Sequence, residues 1–144
     1  ARVPRRSGVG VVASLGGDIP TPGPAPDGGW RVLVHDSADD PHTTVTLPAG
    51  AALATSSTVR RRWRCGGQSV HHIVDPRTGA PARPVWRSAS VVAWRCLDAN
   101  VASTAAVVRA ERARGWLRRI GLPARLVDAE RTVHTLNGWP DEQP

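Results

Sequence analysis

The segment HHIVDPRTGAP, residues 71–81, constrains the fold more than any other, because it joins an extended run to a tight reversal. Side chains alternate between the two faces of an extended chain, so His71 and His72 point to opposite sides and only one can face a given site. Asp75 and the proline after it suit the first two positions of a type I turn, and Gly79 supplies a positive φ. Spacing alone favours a hairpin turn with solvated histidines over a catalytic site.

The composition fits one globular domain with a strongly basic surface. The 144 residues suffice for a core, and 14 Gly with 13 Pro fall below the share typical of disordered chains. All 19 basic residues are Arg, and the net charge of +7 attracts polyanions. Two readings follow: a nucleic-acid surface, or a site for a phosphate-bearing small molecule. The chain begins at Ala1 and contains no Met, so we expect a piece of a longer protein.

The cysteines and apolar runs exclude two classes of protein. Cys65 and Cys96 stand far apart without a CxxC pattern, which argues against a structural zinc site. We expect two buried thiols, with a single disulfide as the alternative. No apolar run approaches the roughly 18 residues that a membrane span needs.

Hydrophobic periodicity predicts an α+β fold, mainly antiparallel sheet, with two helices near the C-terminal end. Residues 19–29 are rich in Pro and Gly and form a loop. Gly66 and Gly67 predict a hairpin. The hydroxyls of residues 51–58 can donate to a phosphate or carbonyl, or cap the next element, and capping is the simpler interpretation. Strands are expected at residues 9–15, which should be buried, and at 30–35, 43–47, 70–74, 86–94, 124–127 and 132–136. Helices are expected at residues 98–108 and 111–120.

Two further patterns carry candidate chemistry. Asn100 and Thr104 lie four apart and share a helix face, where two oxygens can ligate a hard cation. The alternative, which spacing alone favours, is that Asp98 or Asn100 caps the helix and Thr104 bonds back to it. Arginines at residues 60–64 suit a nucleic-acid patch, but a solvated edge strand is the simpler interpretation.

Four motifs in order resemble those of the FAD:protein FMN transferase (ApbE) family: SLGGD, ALATSS, HHIVDPRTG and ANVASTAAVV. The resemblance covers nearly the whole chain but only the C-terminal half of a usual member. It implies an incomplete ApbE-like fold in which residues 1–144 form the C-terminal part of one flavin transferase domain. It also implies transfer of FMN from FAD to a Thr hydroxyl of an acceptor flavoprotein, with release of AMP and with Mg²⁺ as the metal.

The resemblance also assigns roles to individual residues. His72 matches the family histidine and becomes the catalytic or pyrophosphate-orienting residue, which leaves His71 as scaffold. Asn100 stands where the family has a metal-binding Asp, and Thr104 matches the second ligand. An Asn brings no charge, so Mg²⁺ affinity should fall or depend more on the substrate pyrophosphate. The residues expected to contact the flavin nucleotide or shape its site are Gly16, Gly17, Asp18, Thr55, Ser56, Ile73, Asp75 and Thr78.

Two other functions stay open beside this one. The first is an Mg²⁺-dependent FAD pyrophosphatase, which would release FMN and AMP without an acceptor. The second is a noncatalytic basic binding module, against which the absence of a recognisable nucleic-acid motif argues. The family's N-terminal half, with further flavin contacts and another metal ligand, is not in this sequence. The chain alone can therefore be inactive. The compartment stays open, since family members are often exported or membrane-tethered.

Overall fold

The computed structural model describes residues 8–140, and its centre is a five-stranded antiparallel sheet. The strand order across this sheet is β1-β4-β7-β8-β9, and two separate hairpins, β2–β3 and β5–β6, complete the strands. The strands are β1 (Asp18–Pro20), β2 (Trp30–Val34), β3 (Thr43–Leu47), β4 (Ala52–Ser57), β5 (Arg62–Cys65), β6 (Gln68–His71), β7 (Trp86–Ala93), β8 (Ala124–Asp128) and β9 (Val133–Leu136).

The helical part follows β7 and covers one face of the sheet. It consists of α1 (Cys96–Arg109), a 3-10 turn (Ala110–Arg112) and α2 (Ala113–Ile120). Gly121 ends α2 in the left-handed conformation, which glycine adopts without steric cost. The predicted α+β class, with mainly antiparallel strands and two helices near the C-terminal end, is confirmed. No helix in residues 8–140 is long and apolar enough to cross a membrane.

The central strands bury both of their faces, which produces three layers. On β7, Val91 belongs to the cluster beneath α1 and α2, whereas its neighbour Val92 belongs to the cluster beneath the β2–β3 hairpin. The same alternation on β4 turns Leu53 toward the hairpin and Ala54 toward α1. Small residues at the α1 contact let the helix lie close to the sheet, and this positions one helix face beside β4.

Residues 51–58 were predicted to be a capping stretch, and this is wrong. They contain β4, a central strand paired with β1 and β7. Alanine and serine have little intrinsic preference for strands, but a fully buried strand under a helix needs small side chains, so tertiary packing decides here. Ser56 and Thr58 are accordingly buried rather than exposed at a helix end.

The buried strand predicted at residues 9–15 is also wrong. The segment runs beside residues 18–22 through irregular hydrogen bonds, and Val9 and Leu15 are 64% and 69% exposed. Its partner segment carries Pro20 and Pro22, which have no N–H to donate, so a regular ladder cannot form. Only a single bridge between Leu15 and Asp18 has strand geometry.

The hairpin predicted around Gly66 and Gly67 is confirmed, with Arg62 paired to His71 across β5 and β6. All of β5 is exposed, as expected for a solvated basic strand. The strand predicted to reach residue 74 ends at His71, and only Val74 bridges onward, to Pro81. Both cysteines are free; Cys65 is exposed and Cys96 half-buried, so the expectation of two buried thiols was wrong.

Candidate active site

A cavity of about 880 Å³ lies where the first half of α1 meets the chain around β1 and β4. Its remaining walls come from the end of β2 and the residues after it, the loop after β4, and the residues that follow β6. Most of the residues predicted from sequence line it, although they come from four segments far apart in the chain. The lining is mainly polar and charged at two ends, one at α1 and one at the loop between β4 and β5.

The loop at Gly16 and Gly17 enters the cavity under a tight backbone constraint. The Thr55 amide donates to the Gly17 carbonyl oxygen at 3.0 Å, and Gly17 has a φ of 111°. A Cβ on Gly17 would lie 2.9 Å from the Thr55 carbonyl oxygen, closer than real contacts allow. Glycine is therefore required at this position, and the close approach brings Asp18 level with Ala54 of β4.

The end of the cavity at α1 is a network of oxygen-bearing side chains. The Asn100 Nδ2 amide donates to both carboxylate oxygens of Asp18, each at 3.0 Å. One turn further along α1, Thr104 Oγ1 lies 2.9 Å from Ser56 Oγ, which also lies 2.9 Å from Ser103 Oγ. Thr104 therefore bonds to β4, and α1 already begins at Cys96, so the alternative in which Asp98 or Asn100 caps the helix is wrong.

These donors suit a hard divalent cation. Among residues 8–140 no three His, Cys, Asp or Glu side chains gather, and the available atoms here are carboxylate, amide and hydroxyl oxygens. Mg²⁺ is commonly held by one or two carboxylates together with substrate phosphates. Burial raises the pKa of the nearby Cys96 thiol, and the negative charge of Asp18 raises this pKa further.

The opposite end of the cavity carries arginines. Asp36 accepts a hydrogen bond from Ser57 Oγ at 2.5 Å and pairs with Arg60 Nε at 3.3 Å. Arg60 Nε also donates to the Asp36 carbonyl oxygen. Arg61 lines the same wall and makes no ion pair with a carboxylate of the described chain. Arg60 is thus paired with a carboxylate, whereas Arg61 has no carboxylate partner among residues 8–140.

The two adjacent histidines face opposite sides, as predicted. His72 is exposed and lines the cavity. His71 is 3% exposed; its Nε2 lies 2.8 Å from the Ala82 carbonyl oxygen, and its Nδ1 accepts from the Ile73 amide at 3.2 Å. Burial lowers the pKa of His71, and the charges near it on His72 and Arg62 lower it further, against the smaller opposing effect of the Ala82 hydrogen bond. His71 is therefore a neutral structural residue.

The comparison with known proteins decides the family. The ApbE family profile matches residues 3–126. This chain belongs to the ApbE family. It is 27% identical over 135 residues to the FAD:protein FMN transferase of Escherichia coli K12, covering 90% of this chain and 38% of that protein. It is 35% identical over 85 residues to the Treponema pallidum protein of the same name, covering 55% of this chain and 22% of that protein.

Solved ApbE structures have the same fold. The apo flavinyl transferase ApbE of Pseudomonas stutzeri superposes with a TM-score of 0.69 at 25% identity, covering 88% of this chain and 40% of that one. The ApbE protein of Thermotoga maritima superposes with a TM-score of 0.70 at 25% identity, covering 88% and 42%. The chain therefore spans about two fifths of the length of these ApbE proteins.

Two residues predicted from the ApbE resemblance lie outside the cavity lining. The Asp75 carboxylate accepts from the backbone amide of Arg77 at 3.0 Å and from its guanidinium at 3.0 and 2.7 Å. These hydrogen bonds lower the pKa of Asp75. Thr78 Oγ1 donates to the Asp75 carbonyl oxygen at 3.4 Å. Both side chains make hydrogen bonds inside the turn, where they fix the segment that carries His72. Their contact with the flavin nucleotide stays a prediction.

Sequence reasoning missed three charged residues of this cavity. Asp36, Arg60 and Arg61 line the cavity, but Asp36 reads in the sequence as part of an acidic turn and the arginines as a solvated strand. The arginines precede β5, which starts at Arg62, so they belong to the loop after β4 and not to the hairpin. The one available signal was their closeness in sequence to Thr55 and Ser56.

Proposed function

We propose that this chain forms part of an FAD:protein FMN transferase, which transfers FMN from FAD to a Thr hydroxyl of an acceptor protein and releases AMP. The observation that carries the proposal is the convergence of Gly17, Asp18, Ser56, His72 and Asn100 on one cavity from distant parts of the chain. The names of the relatives agree with this chemistry. The chain covers 38% of the length of the Escherichia coli relative, so the activity of the whole relative is part of the proposal.

His72 is the proposed catalytic residue. Its imidazole is exposed at the cavity, and the buried neighbour His71 together with the Asp75 turn holds the backbone that carries it. A neutral imidazole nitrogen can accept the proton of the attacking Thr hydroxyl. The hydroxyl oxygen then bonds to the FMN phosphorus, the bond from that phosphorus to the bridging oxygen breaks, and AMP leaves with the bridging oxygen.

The two ends of the cavity have complementary roles in this proposal. Arg61, with Arg60 beside it, offers guanidinium groups to the pyrophosphate of FAD, because Arg presents planar donors that match phosphate oxygens. Asn100 and Thr104 are the residues that would hold Mg²⁺ at the other end. Mg²⁺ supplies neutralisation of the charge that develops on the transferred phosphoryl group. Gly16, Gly17, Thr55, Ser56 and Ile73 form the wall against which the flavin nucleotide packs.

A hydrolytic variant uses the same residues. If water takes the place of the acceptor hydroxyl at the exposed His72, the products are FMN and AMP, and the chain is an FAD pyrophosphatase. The two activities differ only in where the FMN ends: on a protein or in solution.

The test follows the FMN moiety. The chain, alone and in the longest form that its gene encodes, is incubated with FAD, Mg²⁺ and a cell extract that supplies acceptors. Covalent flavin is read by fluorescence after denaturing electrophoresis, and free FMN and AMP are read by chromatography. We expect AMP together with protein-bound flavin; AMP with free FMN alone would establish the pyrophosphatase.

His72→Ala is expected to reduce AMP release by at least about 100-fold, the lower range of general acid–base contributions. His42→Ala is the matched control, because His42 is exposed and lies outside the cavity lining. AMP release by His72→Ala at the rate of the unaltered chain would remove His72 from the mechanism.

A further inference from the structure

The cavity contains two carboxylates, and their surroundings differ. Asp36 is 9% exposed and already committed to Arg60 and Ser57. Asp18 has no cationic side chain against it among residues 8–140; the group that contacts both of its oxygens is the neutral amide of Asn100. Asp18 is therefore the one carboxylate of the described cavity wall whose charge is free to bind a cation.

The neighbours of Asp18 supply further hard ligands. Asn100 carries an amide oxygen on the same group that now donates through Nδ2, and a half-turn of the amide exchanges the two atoms. Thr104 lies four residues along α1 and contributes a hydroxyl oxygen to the same wall. A carboxylate, an amide oxygen and a hydroxyl are a donor set for Mg²⁺ or Mn²⁺ that leaves positions for phosphate oxygens and water.

We infer that Asp18 supplies the anionic ligand of the divalent cation in this chain, and that Asn100 serves as its neutral partner through the amide oxygen. The negative charge of the site then comes from β1 and not from α1. The loop at Gly17 makes this feasible, since its close approach to Thr55 holds Asp18 within 3.0 Å of the Asn100 side chain. The role of the cation in catalysis rests on the proposed function, whereas its binding to Asp18 and Asn100 does not.

The test is a charge exchange between the two positions, read by Mn²⁺ binding alone. Free Mn²⁺ is measured by electron paramagnetic resonance as the protein is titrated with up to millimolar metal, without FAD. The unaltered chain should bind Mn²⁺, and Asp18→Asn should weaken binding at least tenfold. The double variant Asp18→Asn with Asn100→Asp returns one carboxylate to the pair and should bind within a few-fold of the unaltered chain.

Two further variants guard against a folding artefact. Asp27→Asn removes an exposed carboxylate outside the cavity lining and should bind Mn²⁺ like the unaltered chain. Asn100→Asp places two carboxylates side by side, so its thermal midpoint should rise more on Mn²⁺ addition than that of the unaltered chain.

Mn²⁺ binding by Asp18→Asn equal to that of the unaltered chain would overturn the inference, and so would the absence of Mn²⁺ binding by the unaltered chain. Because FAD is absent from the titration, its outcome is independent of flavin transfer. If Mn²⁺ binding follows the expected pattern but no AMP is released, the proposed function is contradicted and the inference is not. If flavin transfer occurs but Asp18→Asn binds Mn²⁺ as tightly as the unaltered chain, the inference is contradicted and the proposed function is not.

Discussion

The two ends of the cavity are built in different ways. At the α1 end, Ser56 and Thr104 project from a buried strand and a helix, and Ser103, which bonds to Ser56, is fully buried. At the arginine end, Arg60 and Arg61 lie on an exposed loop that leads into the fully exposed β5. The first end is held by core packing and the second by the ion pair of Arg60 with Asp36.

The α1 end therefore offers side chains in fixed positions, and the arginine end offers positive charge on a less constrained loop. Side chains on packed regular elements keep their positions because the core fixes them, which a cation with defined ligands requires. An exposed guanidinium on a loop can turn its planar donors toward a phosphate, and its charge attracts the phosphate over a distance that salt limits. Substitutions at the α1 end should therefore change stability as well as binding, and those at the arginine end should change binding alone.

The largest expected effect comes from a pair of leucines that both line the cavity. Leu53 on β4 is 1% exposed and Leu33 on β2 is 58% exposed. Leu53→Ala should lower the free energy of unfolding by about 2–5 kcal/mol through the void that it leaves in the core. Leu33→Ala should change it by about 0.5 kcal/mol or less. Urea unfolding measures both, and equal losses would erase the contrast between the buried and the exposed parts of the cavity wall.

An intermediate effect is expected at His71, the buried anchor of the hairpin. Its folded pKa lies below the ordinary value of 6.5, so as pH falls below about 6.5 the unfolded chain binds a proton first. The stability that His71 contributes is complete above about pH 7 and is lost as pH falls toward the folded pKa. The free energy of unfolding then decreases by at most about 1.4 kcal/mol per pH unit.

The measurement compares thermal midpoints between about pH 7.5 and about pH 5.5, which bracket the ordinary histidine pKa. His71→Gln retains a side-chain donor for the Ala82 carbonyl and should show a shallower loss of stability on acidification. His42→Gln, at an exposed position, should retain the slope of the unaltered chain. Identical slopes for all three proteins would mean that His71 is not the titrating anchor.

The smallest effect is expected at Arg61. Arg61→Ala should leave the free energy of unfolding within about 0.5 kcal/mol and weaken FAD binding by about 1 kcal/mol or less, with the difference shrinking as salt is added. Arg62→Ala is the matched control, since Arg62 is exposed on β5 outside the cavity lining. Equal losses of affinity at the two positions would favour a general basic surface over a phosphate contact.

The sequence predicted the strands that obey simple alternation and failed where packing overrides propensity. The bounds of β3 agree because its alternating valine and threonine match a half-buried surface. β4 was missed because ALATSS resembles a capping stretch unless one knows that α1 lies on it. Residues 9–15 were taken for a strand because their valines suit one, but their proline-bearing neighbours cannot complete a ladder.

In the cavity too, local patterns predicted some features and contacts between distant residues were missed. The opposite facing of His71 and His72 follows from alternation alone, and the structure places only His72 in the cavity. The hydrogen bonds from Asn100 to Asp18 join residues 82 positions apart, which no local pattern can indicate. The same holds for the pairing of Asp36 with Arg60. The predicted domain extent of 1–144 stays a prediction, and residues 1–7 and 141–144 lie outside the described part of the chain.

The close contact at Gly17 also says which substitutions an engineered version of this chain can accept. Gly16 has a φ of 62°, and a Cβ added there would meet no atom within 4 Å, so Asn or Asp can replace it at modest conformational cost. A Cβ on Gly17 would meet the Thr55 carbonyl oxygen at 2.9 Å, and no side chain can be accommodated without separating β1 from β4. In a library of variants, Gly16 can therefore accept Asn or Asp. The presence of Gly17 alone indicates an intact loop better than the presence of both glycines.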